Sequence, residues 1–501
     1  MNQPVTYPSI RHIMQNERLL LGALGMIALI RMAAITMTPL EFGVDEAQYW
    51  LWGQHLDFGY YSKPPLIGWY LGLMDGLFGA STIAARIATP LIHSIIALVL
   101  YAIASTHHSA SAGRWAALLW VSLPIVSLGT FVISTDTLLL LPWVFALGLF
   151  FKAEANNNSS NNSPKNLRAF FVTGLVIGIG FLAKYAAIYF ILGAALCLLG
   201  ARAGGRLNAL RKLGALIAGA LVTASPNLIW NLIHGGVTFS HLGENADLAE
   251  PSYSLASAAE FLLSQSGVIG PLTFILFCAA ILRLRRQMNL GFAQRLLSFS
   301  VPVILIMTTQ AFLKTANANW AATAWPAACL LIGCALAQIE PFIVGRIWGR
   351  LALSINYFAA IMIAASVGFG TLGQWTPDSD PLRRLRGWQA LANDVAATAQ
   401  AHNIATIIAD RRAAAALLSW HLHDSPYRVK VYDEDGRPGS HFELQHALSQ
   451  DDEGPFLIMT GPDGLLPDAF AKQATEIGES LVKISDKRER HKRFFIVKSP
   501  F

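Results

Sequence analysis

The stretch that decides the fold of this 501-residue chain lies between its first two strongly apolar segments. Residues 41–70 read EFGVDEAQYWLWGQHLDFGYYSKPPLIGWY, which places acidic residues, Lys63 and a proline pair among many aromatic residues. Charged groups are costly to place beside a bilayer, whereas aromatic residues are favoured where lipid headgroups meet hydrocarbon. The stretch is therefore either an ordinary interfacial loop or part of a functional site, and the positions of the other polar residues decide between the two.

The composition indicates a polytopic membrane protein. Of the residues, 54% are hydrophobic and 14% are charged, whereas soluble proteins carry about a quarter charged residues. All four cysteines fall inside apolar segments, so neither a disulfide framework nor a cysteine metal site is predicted. The formal charge of +6 comes from basic loops between apolar spans, and no nucleic-acid partner is expected.

Apolar segments of sufficient length predict about eleven spanning helices, with thirteen as the upper count. The criterion is about 20 mostly apolar residues. The candidates lie near residues 19–38, 83–105, 113–130, 135–152, 168–183, 185–201, 212–231, 259–282, 297–313, 320–339 and 349–370. No small-residue cleavage site follows the first apolar run, so we expect an uncleaved signal anchor.

The charges of the loops predict an orientation in the membrane. With a cytoplasmic N-terminus, the loops on that side carry the basic residues Arg114, Lys152, Lys165, Arg168, Arg202, Arg206, Arg211, Lys212, Arg283, Arg285, Arg286, Arg295, Arg346 and Arg350. The opposite loops carry the acidic residues Asp45, Glu46, Asp57, Asp75, Asp136, Glu244, Asp247 and Glu250. This is the positive-inside pattern. An odd number of spans then places the C-terminus outside the cytoplasm.

The apolar pattern ends near residue 371, which predicts two domains: a membrane domain at 1–370, with its first outer loop at 41–82, and an extracytoplasmic α/β domain at 371–501. The predicted strands are Ile404–Ala409, Arg428–Tyr432, Pro455–Thr460 and Phe494–Lys498, and the predicted helices are Arg412–His421 and Pro467–Ala474. Alternating strands and helices are typical of α/β domains. We interpret His421, His423 and Asp424 as a surface cluster rather than metal ligands, and the low-complexity stretch 156–164 as a flexible cytoplasmic loop.

With this orientation, the unusual polar residues gather on the outer face of the membrane. They are Asp45, Glu46 and Lys63 in the first loop, then Asp136, Lys184, Tyr185, Asn231, His234, Lys314, Asn317, Asn319 and Trp320. Taken singly, Asp136 also fits a helix N-cap, Lys184 a side chain that snorkels to the interface, and His234 an ordinary interfacial histidine. Together, five loops with carboxylates, lysines and amides predict a site at the membrane surface.

The first loop also has a local pattern. Residues 44–56 have an amphipathic helical period that begins at Asp45 or Glu46, and the Pro64-Pro65 pair suits the start of a second short helix. Two helices lying in the interface would hold the acidic start and Lys63 near the lipid headgroups. A lipid phosphate suits this arrangement, with Lys63 at the phosphate and Asp45 removing a proton from an attacking hydroxyl.

These residues resemble the signature of the bacterial GT-C glycosyltransferases, which are similar to protein O-mannosyltransferases and to the transferase that adds aminoarabinose to lipid A. The resemblance starts at Asp45-Glu46 and the run from Tyr60 to Leu66. It continues at 134–137, 183–185, 225–231 with His234, and 319–320. The fold implied is a polytopic α-helical GT-C membrane protein with interfacial helices in the first outer loop and a small C-terminal α/β domain.

The resemblance implies a role for each site residue. Asp45 would be the general base, with Glu46 as its neighbour and Asp136 as the acid of the second outer loop. Lys63 and Lys184 would bind the donor phosphate. The substrate-binding residues would be Tyr61, Tyr185, His234 and Asn319.

The resemblance also implies partners and bears on metal dependence. The partners would be a polyprenyl-phosphate sugar donor, a lipid or glycan acceptor and membrane lipids. No cofactor is required by this chemistry. Relatives often carry an acidic residue and an associated metal directly before the lysine, but Ser62 stands there in this chain. A divalent metal, with His234 as a ligand, is therefore kept only as an alternative.

The resemblance implies a bacterial inner-membrane protein with a periplasmic C-terminal domain. The implied function is an inverting sugar transfer at the periplasmic face, and other classes stay open. One is a transporter or flippase of a lipid-linked sugar, which would favour ionisable groups in mid-span and internal repeats. Another is a protein O-mannosyltransferase, and a third is a non-catalytic partner whose C-terminal domain does the work. Neither the sugar nor the acceptor follows from the sequence.

Overall fold

The structure is a computed structural model that describes residues 6–155, 164–200, 205–246, 251–285, 291–338, 343–370, 381–485 and 488–498. The chain divides into two compact units. The membrane unit comprises 1–36, 63–66 and 86–364, and the loop–sheet unit comprises 37–62, 67–85 and 365–501. The predicted boundary near 371 and the stretch 156–163 lie outside the described residues, as do Arg202, Asp247, Glu250 and Arg286. The predicted domain boundaries stay a prediction.

The described part of the chain is mostly helical. In chain order the helices are α1 (Ile10–Asn16), α2 (Arg18–Met37), α3 (Val44–Gln54), α4 (Leu66–Phe78), α5 (Thr82–Arg86), α6 (Thr89–His107), α7 (Ala110–Ser122), α8 (Pro124–Gly129), α9 (Thr135–Ala155), α10 (Pro164–Ala183), α11 (Ile188–Gly200), α12 (Arg206–Ile233), α13 (Val237–Ala246), α14 (Leu255–Ile269), α15 (Pro271–Arg285), α16 (Gly291–Leu297), α17 (Val301–Leu313), α18 (Trp325–Gln338), α19 (Ile343–Phe369), α20 (Trp388–Ala401), α21 (Arg412–His421), α22 (His441–Gln445) and α23 (Asp468–Ala471). Short 3-10 helices occupy Tyr185–Ala187, Ala318–Ala324 and Pro381–Leu385.

In its described residues, each predicted apolar segment contains a helix, but not all of these helices are long. Among the described residues, eight helices are long and apolar enough to cross a membrane, or nine if α14 and α15, bent by 110° at Gly270, form one span. The segment 113–130 is split between α7 and α8, because Leu123 leaves the helical conformation before Pro124. The segment 185–201 holds a 3-10 turn and the 13-residue α11. The count of eleven spans stays a prediction.

Glycines allow α10 and α12 of the membrane unit to cross at close range. A Cβ atom at Gly174 would lie 2.0 Å from the carbonyl oxygen of Leu216, and one at Gly219 would lie 2.1 Å from that of Phe171. Without a hydrophobic force between helices in lipid, close backbone approach through small residues is a main source of helix association. The helix pair that leads to Lys184 and His234 is therefore fixed by backbone packing.

The loop–sheet unit contains a five-stranded sheet of strands β1 (Thr406–Ala409), β2 (Arg428–Val431), β3 (Phe456–Thr460), β4 (Thr475–Ser485) and β5 (Arg488–Val497). The order is β2-β1-β3-β5-β4. β1 pairs in parallel with β2 and β3, as with Ile407 opposite Leu457, whereas β5 runs antiparallel to β3 and β4. This confirms the predicted small α/β region, and α21 has the predicted bounds.

Candidate active site

The first-loop helix α3 starts where the sequence predicts, because Glu46 caps it. The backbone N–H of Gly43 donates to the Glu46 carboxylate at 3.0 Å, and the side chain is only 1% exposed. A carboxylate in the first turn also interacts favourably with the helix dipole. Glu46 thus orients the helix that carries Asp45. Its predicted part in catalysis, as the neighbour of that carboxylate, stays a prediction.

Asp45 is half of an ion pair that the sequence does not reveal. Its side chain is 65% exposed and contacts the guanidinium of Arg412, the first residue of α21. The Nε of Arg412 donates to the side-chain oxygen of Gln48 at 2.5 Å. The planar guanidinium therefore joins two successive turns of α3, which fixes the direction of the Asp45 carboxylate.

Aromatic residues support the end of α3. The rings of Trp52 and Tyr60 stack with centroids 4.6 Å apart, and the Tyr60 hydroxyl donates to the Trp52 carbonyl at 2.8 Å. Burial raises the pKa of Tyr60 to about 12, so its phenol stays neutral. The neighbouring Tyr61, predicted to bind substrate, is 5% exposed and lies in the core in this structure. The second predicted helix follows the proline pair as α4.

Lys63 belongs to the membrane unit, and its side chain is half-buried. It directly precedes the Pro64-Pro65 pair that leads into α4. Its place at the donor phosphate stays a prediction.

Two other predicted residues, Asp136 and Lys184, contact each other. Asp136 lies in the first turn of α9, and Lys184 follows α10. The ammonium group donates to both carboxylate oxygens, at 2.8 and 2.9 Å. With side chains 23% and 18% exposed, the lysine and the aspartate form a partly buried ion pair. The sequence predicts separate roles for the Asp136 carboxylate and the Lys184 ammonium group, and the structure brings them together as one ion pair.

Asp136 also lines a cavity of about 290 Å³ inside the membrane unit. We name it the Asp136 cavity. Its polar lining includes Asn319, which the sequence predicts to bind substrate, and His93, which sequence reasoning missed. Trp120 and Trp325 form part of its walls. Asp136 and Asn319, 183 positions apart in the sequence, thus meet at one cavity.

Tyr185 takes part in a hydrogen-bonded group with two asparagines of α12. Its hydroxyl donates to the Asn227 side-chain oxygen at 2.7 Å and accepts from the Asn231 amide at 3.1 Å. Both asparagines are buried. Burial of polar groups in a membrane span is favourable only when they are paired, so this group holds Tyr185 in place beside Lys184.

His234 is the C-cap residue of α12. Its ring stacks on Trp230 with centroids 4.1 Å apart, and its Nδ1 lies 2.8 Å from the Trp230 carbonyl oxygen. Within the described ranges, no group of three or more His, Cys, Asp or Glu residues could hold a metal ion. A divalent metal with His234 as a ligand therefore stays an alternative only.

Comparisons with known proteins identify the chain. The family model described as dolichyl-phosphate-mannose-protein mannosyltransferase matches residues 62–230. The lipid A galacturonosyltransferase RgtD of Rhizobium johnstonii is 34% identical over 432 residues, which cover 86% of this chain and 88% of that protein. The chain belongs to this family of GT-C glycosyltransferases. It is a multi-pass membrane enzyme, and the predicted family and fold class are confirmed.

Solved structures share the fold of this GT-C glycosyltransferase. ArnT from Cupriavidus metallidurans, bound to undecaprenyl phosphate, aligns with a TM-score of 0.64 at 14% identity and covers 96% of this chain and 98% of its own. An oligosaccharyltransferase of Archaeoglobus fulgidus, in complex with zinc and sulfate, aligns with a TM-score of 0.51 at 13% identity. It covers 87% of this chain and 67% of its own.

Proposed function

We propose that this GT-C glycosyltransferase moves a sugar from a polyprenyl-monophosphate donor to a lipid A-type acceptor at the periplasmic face of the inner membrane. The observation that carries the proposal is the 34% identity to a lipid A galacturonosyltransferase across 86% of the chain. The undecaprenyl phosphate bound by ArnT, which has the same fold, supports a polyprenyl-phosphate donor. Galacturonic acid is accordingly the first sugar to test.

The reaction is a single displacement at the anomeric carbon. The acceptor hydroxyl oxygen forms a bond to that carbon while the bond from the carbon to the phosphate oxygen breaks, and the configuration inverts. Asp45 takes the hydroxyl proton, and the polyprenyl phosphate leaves with the electron pair. General-base assistance of this kind typically contributes about 10²–10⁴-fold to the rate.

The leaving phosphate needs positive charge near it. Lys63 is the proposed ligand of this phosphate, and the Asp136–Lys184 ion pair supplies a second oriented cation. Preorganised charges act strongly where water is excluded, and helix N-termini add favourable dipoles. These groups stabilise the leaving anion without a metal in the proposed reaction.

Mass spectrometry of lipid extracts tests the product. Lipid A from cells that carry the gene should contain a sugar that is missing when the gene is deleted and restored when it is returned. Unchanged lipid A would overturn the proposed acceptor. The family-model match to protein mannosyltransferases over 62–230 favours a protein acceptor as the second candidate, and loss of a glycoprotein in the deletion strain would support it instead.

Asp45→Asn tests the proposed base. The amide cannot accept the proton, so we expect a folded protein whose kcat falls by about 10²–10⁴-fold. Asp451→Asn is the matched control, because Asp451 is an exposed aspartate of the loop–sheet unit. Transfer is followed with purified protein in detergent. Full activity of the Asp45→Asn variant would remove Asp45 from the mechanism.

A further inference from the structure

We propose that the Asp136 cavity binds a single sugar ring and that His93 recognises the hydroxyl groups of this sugar. The inference rests on the proposed glycosyl transfer and assigns a specificity-determining residue that lies outside the sequence motifs. Several buried polar atoms of the residues that line this cavity have no hydrogen-bond partner among the described residues.

His93 lies on α6 and is only 2% exposed. Neither of its ring nitrogens has a hydrogen-bond partner among the described residues. The same holds for the indole N–H groups of Trp120 and Trp325, and all three side chains line the Asp136 cavity. A buried polar group without a partner is costly, so four such atoms in the residues that line one cavity favour the binding of a polar ligand there.

His93 forms part of the wall of the Asp136 cavity. The imidazole packs beside Trp120, with ring centroids 5.9 Å apart. Gly129 also lies near the imidazole. A Cβ atom at this position would lie 4.0 Å from the Nε2 of His93. Gly129 lines the cavity as well. A methyl group at position 129 would therefore be in van der Waals contact with a nitrogen that has no hydrogen-bond partner among the described residues.

The chemistry of the lining fits a polyhydroxylated ring. A neutral imidazole offers one donor and one acceptor, and sugar hydroxyls both donate and accept. Asp136 adds an acceptor, Asn319 an amide, and the two indole N–H groups add donors. The volume of about 290 Å³ is at the lower end for ligand pockets, about 300–1,000 Å³. It suits one sugar ring and not a polyprenyl chain.

Binding measurements with two probes test this inference on the full chain in detergent. The probes are a polyprenyl phosphate that carries galacturonic acid and the same polyprenyl phosphate without a sugar. His93→Phe keeps a ring but removes both nitrogens, so we expect its Kd for the sugar-bearing probe to rise roughly tenfold and its Kd for the sugarless probe to stay unchanged. His107→Phe is the control, because His107 lies at the other end of α6 and stacks on Phe292.

Steady-state kinetics distinguish a sugar ring of the donor from a sugar ring of the lipid A acceptor. If the ring belongs to the donor, His93→Phe raises the KM for the donor; if it belongs to the lipid A acceptor, only the KM for lipid A rises. Gly129→Ala provides a second variant, since it adds a methyl group in front of Nε2 while His93 remains, and it should weaken the same substrate. Thermal unfolding of each variant verifies that it is folded.

The result that overturns the inference is an active wild-type enzyme together with His93→Phe and Gly129→Ala variants that bind and turn over both substrates normally. Retained Kd values would mean that water alone occupies the cavity. An inactive wild-type enzyme that binds neither probe would instead refute the proposed function. The two failures are therefore distinguishable.

Discussion

At the residue scale, the contact of Arg412 with Asp45 changes what is expected of the proposed base. A guanidinium group beside a carboxylate competes for the lone pairs that must accept a proton. The contact of Arg412 with Gln48 at 2.5 Å also holds the carboxylate in one direction. Since Asp45 is 65% exposed, an acceptor hydroxyl can still reach it. We therefore interpret Arg412 as a positioning residue.

Arg412→Lys tests this role. A lysine keeps the charge but loses the planar fork that contacts Asp45 and Gln48 together, so we expect kcat to fall roughly three- to tenfold with the KM for the donor nearly unchanged. Arg411→Lys is a matched control, because Arg411 is the preceding residue, is 65% exposed and pairs with Asp410. Equal effects at the two positions would mean that the contact of Arg412 with Asp45 and Gln48 does not position the proposed base.

Local sequence patterns predict site residues but not their partners. Asp45, Asp136 and Lys184 stand out because charged residues are rare beside apolar spans. The partner of Asp45 is 367 positions away, and that of Asp136 is 48 positions away. Such pairings depend on the tertiary fold. His93 gives no signal in the sequence, since a lone histidine in an apolar helix is usually a packed core residue.

At the element scale, the close crossing of α10 and α12 depends on the absence of side chains at Gly174 and Gly219. Gly219→Ala would place a methyl group 2.1 Å from the Phe171 carbonyl oxygen, so the helices would have to separate. We expect destabilisation by about 1–3 kcal/mol, measured by thermal or denaturant unfolding in detergent.

Gly214→Ala in the same helix is the control for this prediction. Among the described residues, no atom outside the neighbouring backbone of α12 lies within 4 Å of the position that a Cβ at Gly214 would take. Alanine also favours a helix over glycine by about 1 kcal/mol. Unfolding should be unchanged or shifted towards greater stability. If the alanine variants at Gly214 and Gly219 lost the same amount of stability, the close helix crossing would not be the cause of the destabilisation.

Some helices and strands can be predicted from their sequence patterns, and others cannot. Arg412–His421 is predicted with its observed bounds, because an alanine-rich amphipathic turn follows a short apolar strand. β4, TEIGESLVKIS, escapes prediction because glycine and charged residues interrupt its alternation. The long antiparallel pairing with β5 stabilises it. α20 also escapes prediction, since it follows a stretch of mixed polar composition.

The buried histidine of α22 makes the loop–sheet unit sensitive to acid. His441 is 2% exposed, and burial, followed by the positive charges of its neighbours, lowers its pKa to about 3. In the unfolded chain the pKa is about 6.5. The unfolded state therefore binds a proton that the folded state does not, so stability is full above about pH 6.5 and falls as the pH is lowered towards 3.

The free energy of unfolding is expected to fall by about 1.4 kcal/mol per pH unit, or by about 2 kcal/mol between pH 6.5 and pH 5. Hydrogen exchange of the sheet amides in the full-length protein measures it. His441→Gln should flatten this pH dependence, whereas His402→Gln should not, because His402 is exposed. An unaltered slope in the His441→Gln variant would remove His441 as the cause.

At the scale of the whole molecule, the number of spans decides on which side the C-terminus lies. Nine or eleven spans place the two termini on opposite sides of the membrane, whereas eight place them on the same side. The structure has eight helices of sufficient length in its described part, or nine with the bent α14–α15 pair counted as one span. The proposed reaction at the periplasmic face agrees with basic loops in the cytoplasm and an odd count.

Labelling with a membrane-impermeant maleimide tests this orientation. The four natural cysteines are first replaced by alanine, and single cysteines are introduced as Lys472→Cys or Lys165→Cys, both at exposed positions. In cells with a permeabilised outer membrane, we expect the cysteine at 472 to react and the one at 165 to react only after lysis, because a charged reagent does not cross the inner membrane. Labelling of both positions before lysis would indicate leaky cells. Protection of 472 together with 165 would require an even number of spans and would move the proposed base away from the periplasmic acceptor.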